Sequence, residues 1–331
     1  MTMLRVGVIG AGNMGTDHVR TLHGYVAGAA VAAVADIDAA RARSAAALAG
    51  ARATEDAYGL IADPEVDAVI IASDDATHAD LAIATLRAGK PVMCEKPLAP
   101  TLDECVRVVT EERQAGGGLL SLGFMRRFDP AYVELKAAVA SGACGAPLLL
   151  HCVSRGVSSW PGANDELTIT ASAVHEFDIV PWLLGSPITE VTWHAPRPTS
   201  SALEFRDPQL MLLRTADGAL TTVEVFLNAR YGYDIRCEVV GEHATVALAH
   251  RGRLVTSSGR THSTGYASDW RDHFADAYRL ELQSWADAVA TRRPSPLASA
   301  YDGLMACAVA EAVIASMNDG GRSVAVKVPT A

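Results

Sequence analysis

The chain has 331 residues, half of them hydrophobic and a fifth charged, with a formal net charge of −10 from 28 Lys and Arg against 38 Asp and Glu. The size suits two domains, and the composition suits a soluble globular protein with ample core. Nothing in it resembles the basic stripe that replaces phosphate counterions in a nucleic-acid complex, and no run of about 20 apolar residues offers a bilayer span.

The N-terminus passes almost at once into a strand-like run and lacks the charged, apolar and cleavage regions of a signal peptide. Six cysteines (Cys94, Cys105, Cys144, Cys152, Cys237 and Cys307) lie far apart, with no C-x-x-C pair and no matching histidine ladder. That spacing disfavours structural zinc and a disulfide framework, and suits reduced thiols in a cytoplasmic protein without metal or membrane partners.

In chain order, Leu4–Ile9 reads as a buried strand ending at Gly10, followed by a helix over 13–22 and a strand over 30–35 closed by Asp36. A helix over 39–49, a strand at 68–72, a helix over 78–88, a strand at 91–94, a helix over 102–114 and a strand at 119–124 continue the alternation. Such alternation predicts a doubly wound α/β domain, residues 1–124, with parallel strands joined by right-handed crossovers. The pattern then changes. A helix over 130–140, a strand at 148–153, a polar loop to Glu166 and a helix over 173–184 precede four β runs at 188–194, 209–215, 219–227 and 235–240. Ala216-Asp217-Gly218 is a hairpin signal, and two helices, 272–291 and 301–316, end the chain. Residues 125–331 are therefore expected to form an α+β domain with a largely antiparallel sheet.

Gly10-Ala-Gly12-Asn-Met-Gly15 sits between a predicted strand and a predicted helix, the context that a dinucleotide fingerprint requires. Gly10 permits the tight turn, Gly12 the approach of a pyrophosphate, and Gly15 the close packing of helix on strand. Asp36, 21 residues past Gly15, is placed to accept hydrogen bonds from ribose hydroxyls and to repel a 2′-phosphate, which favours NAD over NADP. Arg41 and Arg43 read as a solvated helix face. Cys94-Glu95-Lys96-Pro97 ends the fourth predicted strand at the sheet edge where ligands bind, and its proline argues for a special turn, a cis bond included. In Ala171-Ser-Ala-Val-His175-Glu-Phe-Asp178, a helix from about Ser172 places His175, Asp178, Ile179 and Trp182 on one face, where Asp178 can orient the imidazole. Tyr231-Gly-Tyr233-Asp234 reads equally as a phenol and carboxylate over a polar ligand or as a strand-edge aromatic cluster. Met125-Arg-Arg127-Phe-Asp129 falls at the expected domain junction. Ser154, Ser158, Asn164 and Asp165 are polar candidates in the loop before the 173–184 helix.

At these residues the sequence resembles the glucose–fructose oxidoreductase / inositol dehydrogenase family (Gfo/Idh/MocA type) of two-domain NAD(P)-dependent enzymes, over nearly the whole chain. The Glu95-Lys96-Pro97 segment marks the broad family. Phe124-Met-Arg-Arg-Phe-Asp129, His175-Glu-Phe-Asp178 and Tyr231-Gly-Tyr-Asp234 are similar to inositol 2-dehydrogenases. The resemblance implies a Rossmann domain followed by an open, mostly antiparallel sheet whose faces build a substrate cleft and an oligomer contact in a dimer or tetramer. It further implies oxidation of a ring secondary alcohol of a cyclitol, myo- or scyllo-inositol, to the ketone by hydride transfer to NAD, with Lys96 and His175 catalytic. Asp178, Tyr233, Arg127 and Asn164 are then the expected substrate contacts. Gly10, Gly12, Asn13, Met14, Gly15, Asp36, Ser73, His78, Glu95, Lys96 and Pro97 are the expected cofactor contacts. Family members commonly carry an aspartate four residues before the histidine, where this chain has Ala171. That departure leaves open a catalytically impaired NAD-binding protein, beside dehydrogenases acting on a pyranose sugar or an aminocyclitol.

Overall fold

The computed structural model describes residues 3–201, 204–249 and 254–329. They form two compact units, one of residues 3–128 with 276–307 and 328–329, the other of 129–275 with 308–327. The sequence suggests two consecutive domains; instead the chain returns to the first unit after the second has been built. The reason lies in burial. Leu282, Trp285, Ala286 and Leu297 join Val6, Val8, Val19, Leu22, Val34, Ile70 and Met93 in one hydrophobic core, so this late segment covers apolar surface that the first 128 residues leave open.

The first unit alternates as expected: β1 (Leu4–Ile9), α1 (Asn13–Tyr25), β2 (Ala29–Ala35), α2 (Ala39–Ala49), β3 (Arg52–Thr54), α3 (Ala57–Ala62), β4 (Ala68–Ile71), α4 (His78–Arg87), β5 (Val92–Glu95), α5 (Leu102–Gln114) and β6 (Leu120–Gly123). The sheet order is β6-β5-β4-β1-β2-β3, all parallel, with the short segment Ala298–Ser299 added antiparallel beside β6. Runs of Val, Ile and Ala make strands buried on both faces, as crossover helices require. Asp38 caps α2, accepting from the backbone N–H of Ala40 and Arg41, and Thr101 caps α5 through Glu104 N–H. The strand order reverses between β1 and β4, which opens a crevice at their carboxyl ends.

The second unit starts with α6 (Pro130–Ala140), capped by Asp129 with Pro130 in its first turn. It continues through β7 (Pro147–Arg155), the one-turn α7 (Asp165–Leu167), a π-helical stretch over Thr168–Ala173 and α8 (Val174–Leu184). β8 (Ile188–His194), β9 (Gln209–Thr215), β10 (Leu220–Phe226), β11 (Asp234–Gly241) and β12 (Thr245–Ala247) follow, then a separate hairpin of β13 (Val255–Ser258) and β14 (Thr261–Thr264). The main sheet runs β12-β11-β7-β10-β9-β8, antiparallel except for the β7–β10 pair, with Val324–Ala325 antiparallel beside β8. The expected hairpin at 216–218 forms, with Thr215 N–H donating to the Ala219 carbonyl at 3.0 Å. The side chains of Leu150, Cys152, Met211, Leu213, Val223 and Val225 point to one face and are buried.

Two long helices, α9 (Trp270–Thr291) and α10 (Ala300–Asn318), divide between the units: α9 is kinked at Phe274, close to its crossing point. α10 is long and apolar enough to cross a membrane by length and composition, but 67% of its apolar window is buried inside the protein.

Candidate active site

In the first unit, the turn after β1 is shaped by what its glycines exclude. Gly10 has φ +95°, and a Cβ there would lie 2.3 Å from the Ala72 carbonyl oxygen at the end of β4. A Cβ on Gly15 would lie 1.9 Å from the Gly10 carbonyl oxygen, so α1 reaches this close to the turn only with glycine at that position. Gly12 is different: a Cβ there would meet no protein atom within 4 Å. It is the N-cap of α1, with no side-chain cap and no acidic residue in the first turn. The helix N-terminus, with exposed Asn13 and half-buried Met14 beside it, thus keeps N–H groups for an anion.

Asp36 stands at the end of β2 with its side chain only 7% exposed. Its Oδ2 accepts from Ala11 N–H at 2.7 Å, which ties it to the glycine turn. Its Oδ1 accepts from Asp38 N–H at 2.8 Å and from Arg41 Nε and Nη2 at 3.2 and 2.9 Å. Burial acts to raise the carboxyl pKa, and the bonds from Asp38 and Ala11 N–H and from Arg41 outweigh it, leaving the group below its ordinary range. Arg41 is therefore a partner of the Asp36 carboxylate, not the plain solvated residue that its helix position suggests. The glycine turn, the uncapped helix and a carboxylate fixed as an anion together fit the pyrophosphate and adenosine ribose of NAD.

The Glu95-Lys96-Pro97 segment leaves β5 through a cis Lys96–Pro97 bond. Pro97 offers its carbonyl to buried His78 Nδ1 at 2.7 Å, and His78 Nε2 lies 3.3 Å from the Ser73 carbonyl, so His78 braces the turn from inside the protein. Ser73 pairs its hydroxyl with Thr77 at 2.6 Å. Glu95 is buried beside Lys96, and its Oε1 accepts from His18 Nε2 at 2.8 Å. His18, on α1 three residues past Gly15, stands in no sequence motif that marks it. Half-buried Lys96 thus stands at the carboxyl end of β5, on a loop anchored by two buried histidines. Arg127 forms an ion pair with Asp302 at 3.2 Å.

In the second unit, His175 opens α8 directly after the π-helical stretch. Wider π turns recur at functional sites because they re-aim side chains. The sequence predicts a helix only over 173–184 and gives no sign of the π turn before it, in which Ala171 lies. Asp178, one turn beyond His175, is 3% exposed and shares its helix with buried Phe177, Ile179 and Val180. Asn164 caps α7, its side-chain oxygen accepting from Leu167 N–H at 2.8 Å. Tyr233 bridges to Ala267, and its ring meets His273 and Phe274 edge-on at 5.4 and 6.3 Å. Asp234 is 4% exposed and accepts from Tyr231 Oη at 2.6 Å and from Arg236 at 2.7 Å. In this segment, then, the carboxylate is committed to neighbouring side chains.

Comparison with known proteins follows the two-part organisation. Residues 4–124 match the family model described as an oxidoreductase family with an NAD-binding Rossmann fold, and residues 164–326 match its C-terminal alpha/beta domain. The chain is 52% identical to "Inositol 2-dehydrogenase 2" of Paenarthrobacter aurescens, over 96% of this chain and 97% of that protein. It is 50% identical to "Inositol 2-dehydrogenase 1" of Saccharopolyspora erythraea, over 96% and 95%. Among solved structures it is similar to the myo-inositol dehydrogenase of Lactobacillus casei in complex with NAD(H) and myo-inositol. The TM-score is 0.95 at 32% identity, covering 100% of this chain and 98% of that one.

Proposed function

We propose, because the chain belongs to the Gfo/Idh/MocA oxidoreductase family, that it is an NAD-dependent dehydrogenase oxidising a ring secondary alcohol of a cyclitol, myo- or scyllo-inositol, to the ketone. The observation that carries this reading is identity of 52% to an inositol 2-dehydrogenase over 96% of this chain and 97% of that protein, joined to a β1–α1 turn and an Asp36 that suit NAD.

When bound, NAD supplies the hydride acceptor. The chain's own residues do the rest. Gly10, Gly12 and the first turn of α1, with Asn13, Met14 and Gly15, would receive the pyrophosphate, and Asp36 would take the ribose hydroxyls. Ser73 and His78 hold the loop ends beside the turn, and Glu95 and Pro97 hold Lys96. Lys96 donates to the reacting hydroxyl and stabilises the charge that grows on its oxygen as the proton leaves. His175 takes that proton on an imidazole nitrogen, oriented by Asp178. Tyr233 hydrogen-bonds the polyol. Arg127 and Asn164 belong to the substrate set only through the groups that their ion pair and helix cap leave available. Ala171 carries no ionisable group, so proton transfer rests on Lys96 and His175.

The test is NADH formation over a panel of myo-inositol, scyllo-inositol, an aminocyclitol and glucose, with NAD and NADP in parallel, for this protein and for Ala171→Asp. The expected result is NAD-dependent turnover of an inositol by the protein as it stands. Ala171→Asp should then change kcat/KM by less than the roughly 10²–10⁴-fold that loss of a general acid or base costs. Silence that Ala171→Asp relieves would make the chain a disabled enzyme for the same substrate. Silence of both on every polyol would overturn the cyclitol assignment.

The six cysteines are free thiols, five of them buried, which supports a cytoplasmic setting. Leu149, Leu210 and Leu212 lie partly exposed on one face of the second sheet, which supports a homo-oligomer.

A further inference from the structure

We infer that Asp165 is a positioning residue for His175: pinned by Arg206 and Gln209, it holds the winding of the helical run that leads to the proposed base. The inference rests on the reading of His175 as that base and extends it to a residue outside the assigned set.

The polar loop before α8 suggests Asp165 as a polyol contact, but both of its carboxylate oxygens are already engaged. Oδ1 accepts from Arg206 N–H at 2.6 Å, and Oδ2 accepts from Arg206 Nε at 2.9 Å and Nη2 at 2.8 Å. The Asp165 carbonyl also accepts from Gln209 Nε2 at 3.1 Å. These partners are themselves fixed. Gln209 is fully buried and accepts from Trp193 Nε1 at 2.8 Å, and the Arg206 guanidinium lies over the Trp193 ring at 4.4 Å. Between them, buried Asp207 accepts from Leu227 N–H at 2.9 Å and Asn228 N–H at 3.0 Å, which ties the segment to the end of β10. Asp165 is thus held by side chain and backbone to the second sheet.

What the latch controls is the winding between α7 and α8. A π turn holds one residue more than an α turn. It relaxes to α only if the chain on one side turns by about 100° and shifts by about 1.5 Å, the step of one residue. α8 resists that step, because Val174, Phe177, Ile179 and Val180 are buried along it. α7 buries no residue, and its Asn164 cap bonds within α7 and would turn with it. Besides buried Thr168 and Ile169 at the start of the π stretch, the Asp165 latch is what blocks the step. A helical side chain leans back over the turn before its own Cα, which for His175 is the π stretch. Releasing the latch therefore changes the support beneath the imidazole while α8 stays in place.

The experiment compares the intact protein with Asp165→Ala, Arg206→Ala and Arg206→Lys. Each is measured for steady-state oxidation of myo-inositol, for NADH binding by calorimetry, and for amide hydrogen exchange over 166–175 by mass spectrometry. Asp165→Ala and Arg206→Ala should lower kcat and kcat/KM together by about tenfold to a hundredfold, the cost of a slightly misplaced reacting group. NADH should bind at unchanged stoichiometry and within about threefold of the wild-type affinity, since the residues assigned to the cofactor lie in the other unit. Exchange over the π stretch should quicken by about fivefold or more, the range of one lost hydrogen bond. Arg206→Lys should keep kcat within about threefold of wild type, because both guanidinium nitrogens meet the same carboxylate oxygen and one ammonium can replace them. Unchanged kcat and exchange in the alanine variants would overturn the assignment. So would a raised KM at unchanged kcat, which would make Asp165 a substrate contact. If Asp165→Ala does not fold, Arg206→Ala decides by the same criteria. A wild type that turns over no polyol would overturn the cyclitol reading, and hydrogen exchange alone would then decide the latch.

Discussion

Glu95 and His18 are buried together, and each makes sense only with the other. A carboxylate that is 6% exposed must be paired. His18 Nε2–H donates to Oε1 at 2.8 Å, and Lys96 N–H donates more weakly to Oε2 at 3.3 Å. A Cβ on Gly123 would lie 3.1–3.3 Å from the carboxyl group, so the neighbouring strand leaves just the space it needs. Burial pushes the Glu95 pKa up, but the His18 hydrogen bond and the charges of His18, Lys96 and His78 more than reverse it, and the group titrates below the usual glutamate value. The sign follows. A carboxyl with a depressed folded-state pKa adds stability above the unfolded value, about 4.3 for glutamate, and loses it as pH falls through the lower folded value. The melting temperature of the wild type should therefore fall more steeply with acid below about pH 4.3 than that of Glu95→Gln, which keeps the shape without the charge. His18→Ala should cost about 3–5 kcal/mol at neutral pH, the price of stranding a buried charge. Calorimetric melts from neutral to acid pH check both. Parallel acid slopes for wild type and Glu95→Gln would show that the pair does not hold the loop of Lys96 as a charge.

At the level of elements, the β1–α1 turn separates two uses of glycine that a sequence pattern presents as one. Gly15 lets α1 pack against the turn, since a Cβ would strike the Gly10 carbonyl, whereas the Cβ position of Gly12 is open. Gly15→Ala should lower stability by about 1–3 kcal/mol, as overpacking does, and weaken NADH. Gly12→Ala should leave the melting temperature unchanged and still weaken NADH, because the space it fills belongs to the ligand. Melting curves and NADH titrations of the two variants decide this. Equal loss of stability in both would mean that the open position at Gly12 is protein packing space. The same elements explain what was legible beforehand. The Gly10–Gly15 loop and Asp36 are readable because their chemistry is fixed by local spacing. β3 and α3 are not, since Arg52-Ala-Thr54 is too short to carry a period. The π turn over 168–173 escapes because Thr-Ile-Thr-Ala-Ser-Ala has the same apolar rhythm in an α or a π winding. The pairings of Arg41 with Asp36 and of His18 with Glu95 depend on tertiary placement, as does the return of 276–307 to the first unit's core. No local pattern encodes those.

At the level of the whole molecule, the second sheet has two unlike faces. Register places Leu149, Leu220 and Arg214 in one row, His151, Thr222 and Leu212 in the next, and Val153, Glu224 and Leu210 in a third, all pointing away from the buried face. Leu149, Leu210 and Leu212 are 38%, 42% and 36% exposed, an unusual cluster for a surface that meets only water. Glu224 on this face is already matched, Arg155 donating to it at 2.6 Å. The proposed homo-oligomer would set a second copy of the chain here, because a twofold contact sets the same patch against itself. That symmetry sharpens the prediction. Leu212→Glu, at the centre of the face, would bring two uncompensated carboxylates into one apolar contact, and the cost of burying them exceeds what a single exposed glutamate adds to a monomer. The wild type should sediment as a dimer or tetramer at micromolar concentration. Leu212→Glu should sediment as a smaller species, with NADH affinity retained, since the residues assigned to the cofactor lie in the other unit. Analytical ultracentrifugation with a parallel NADH titration reads both. A wild type that is monomeric, or a Leu212→Glu variant that assembles as the wild type does, would move the contact off this face.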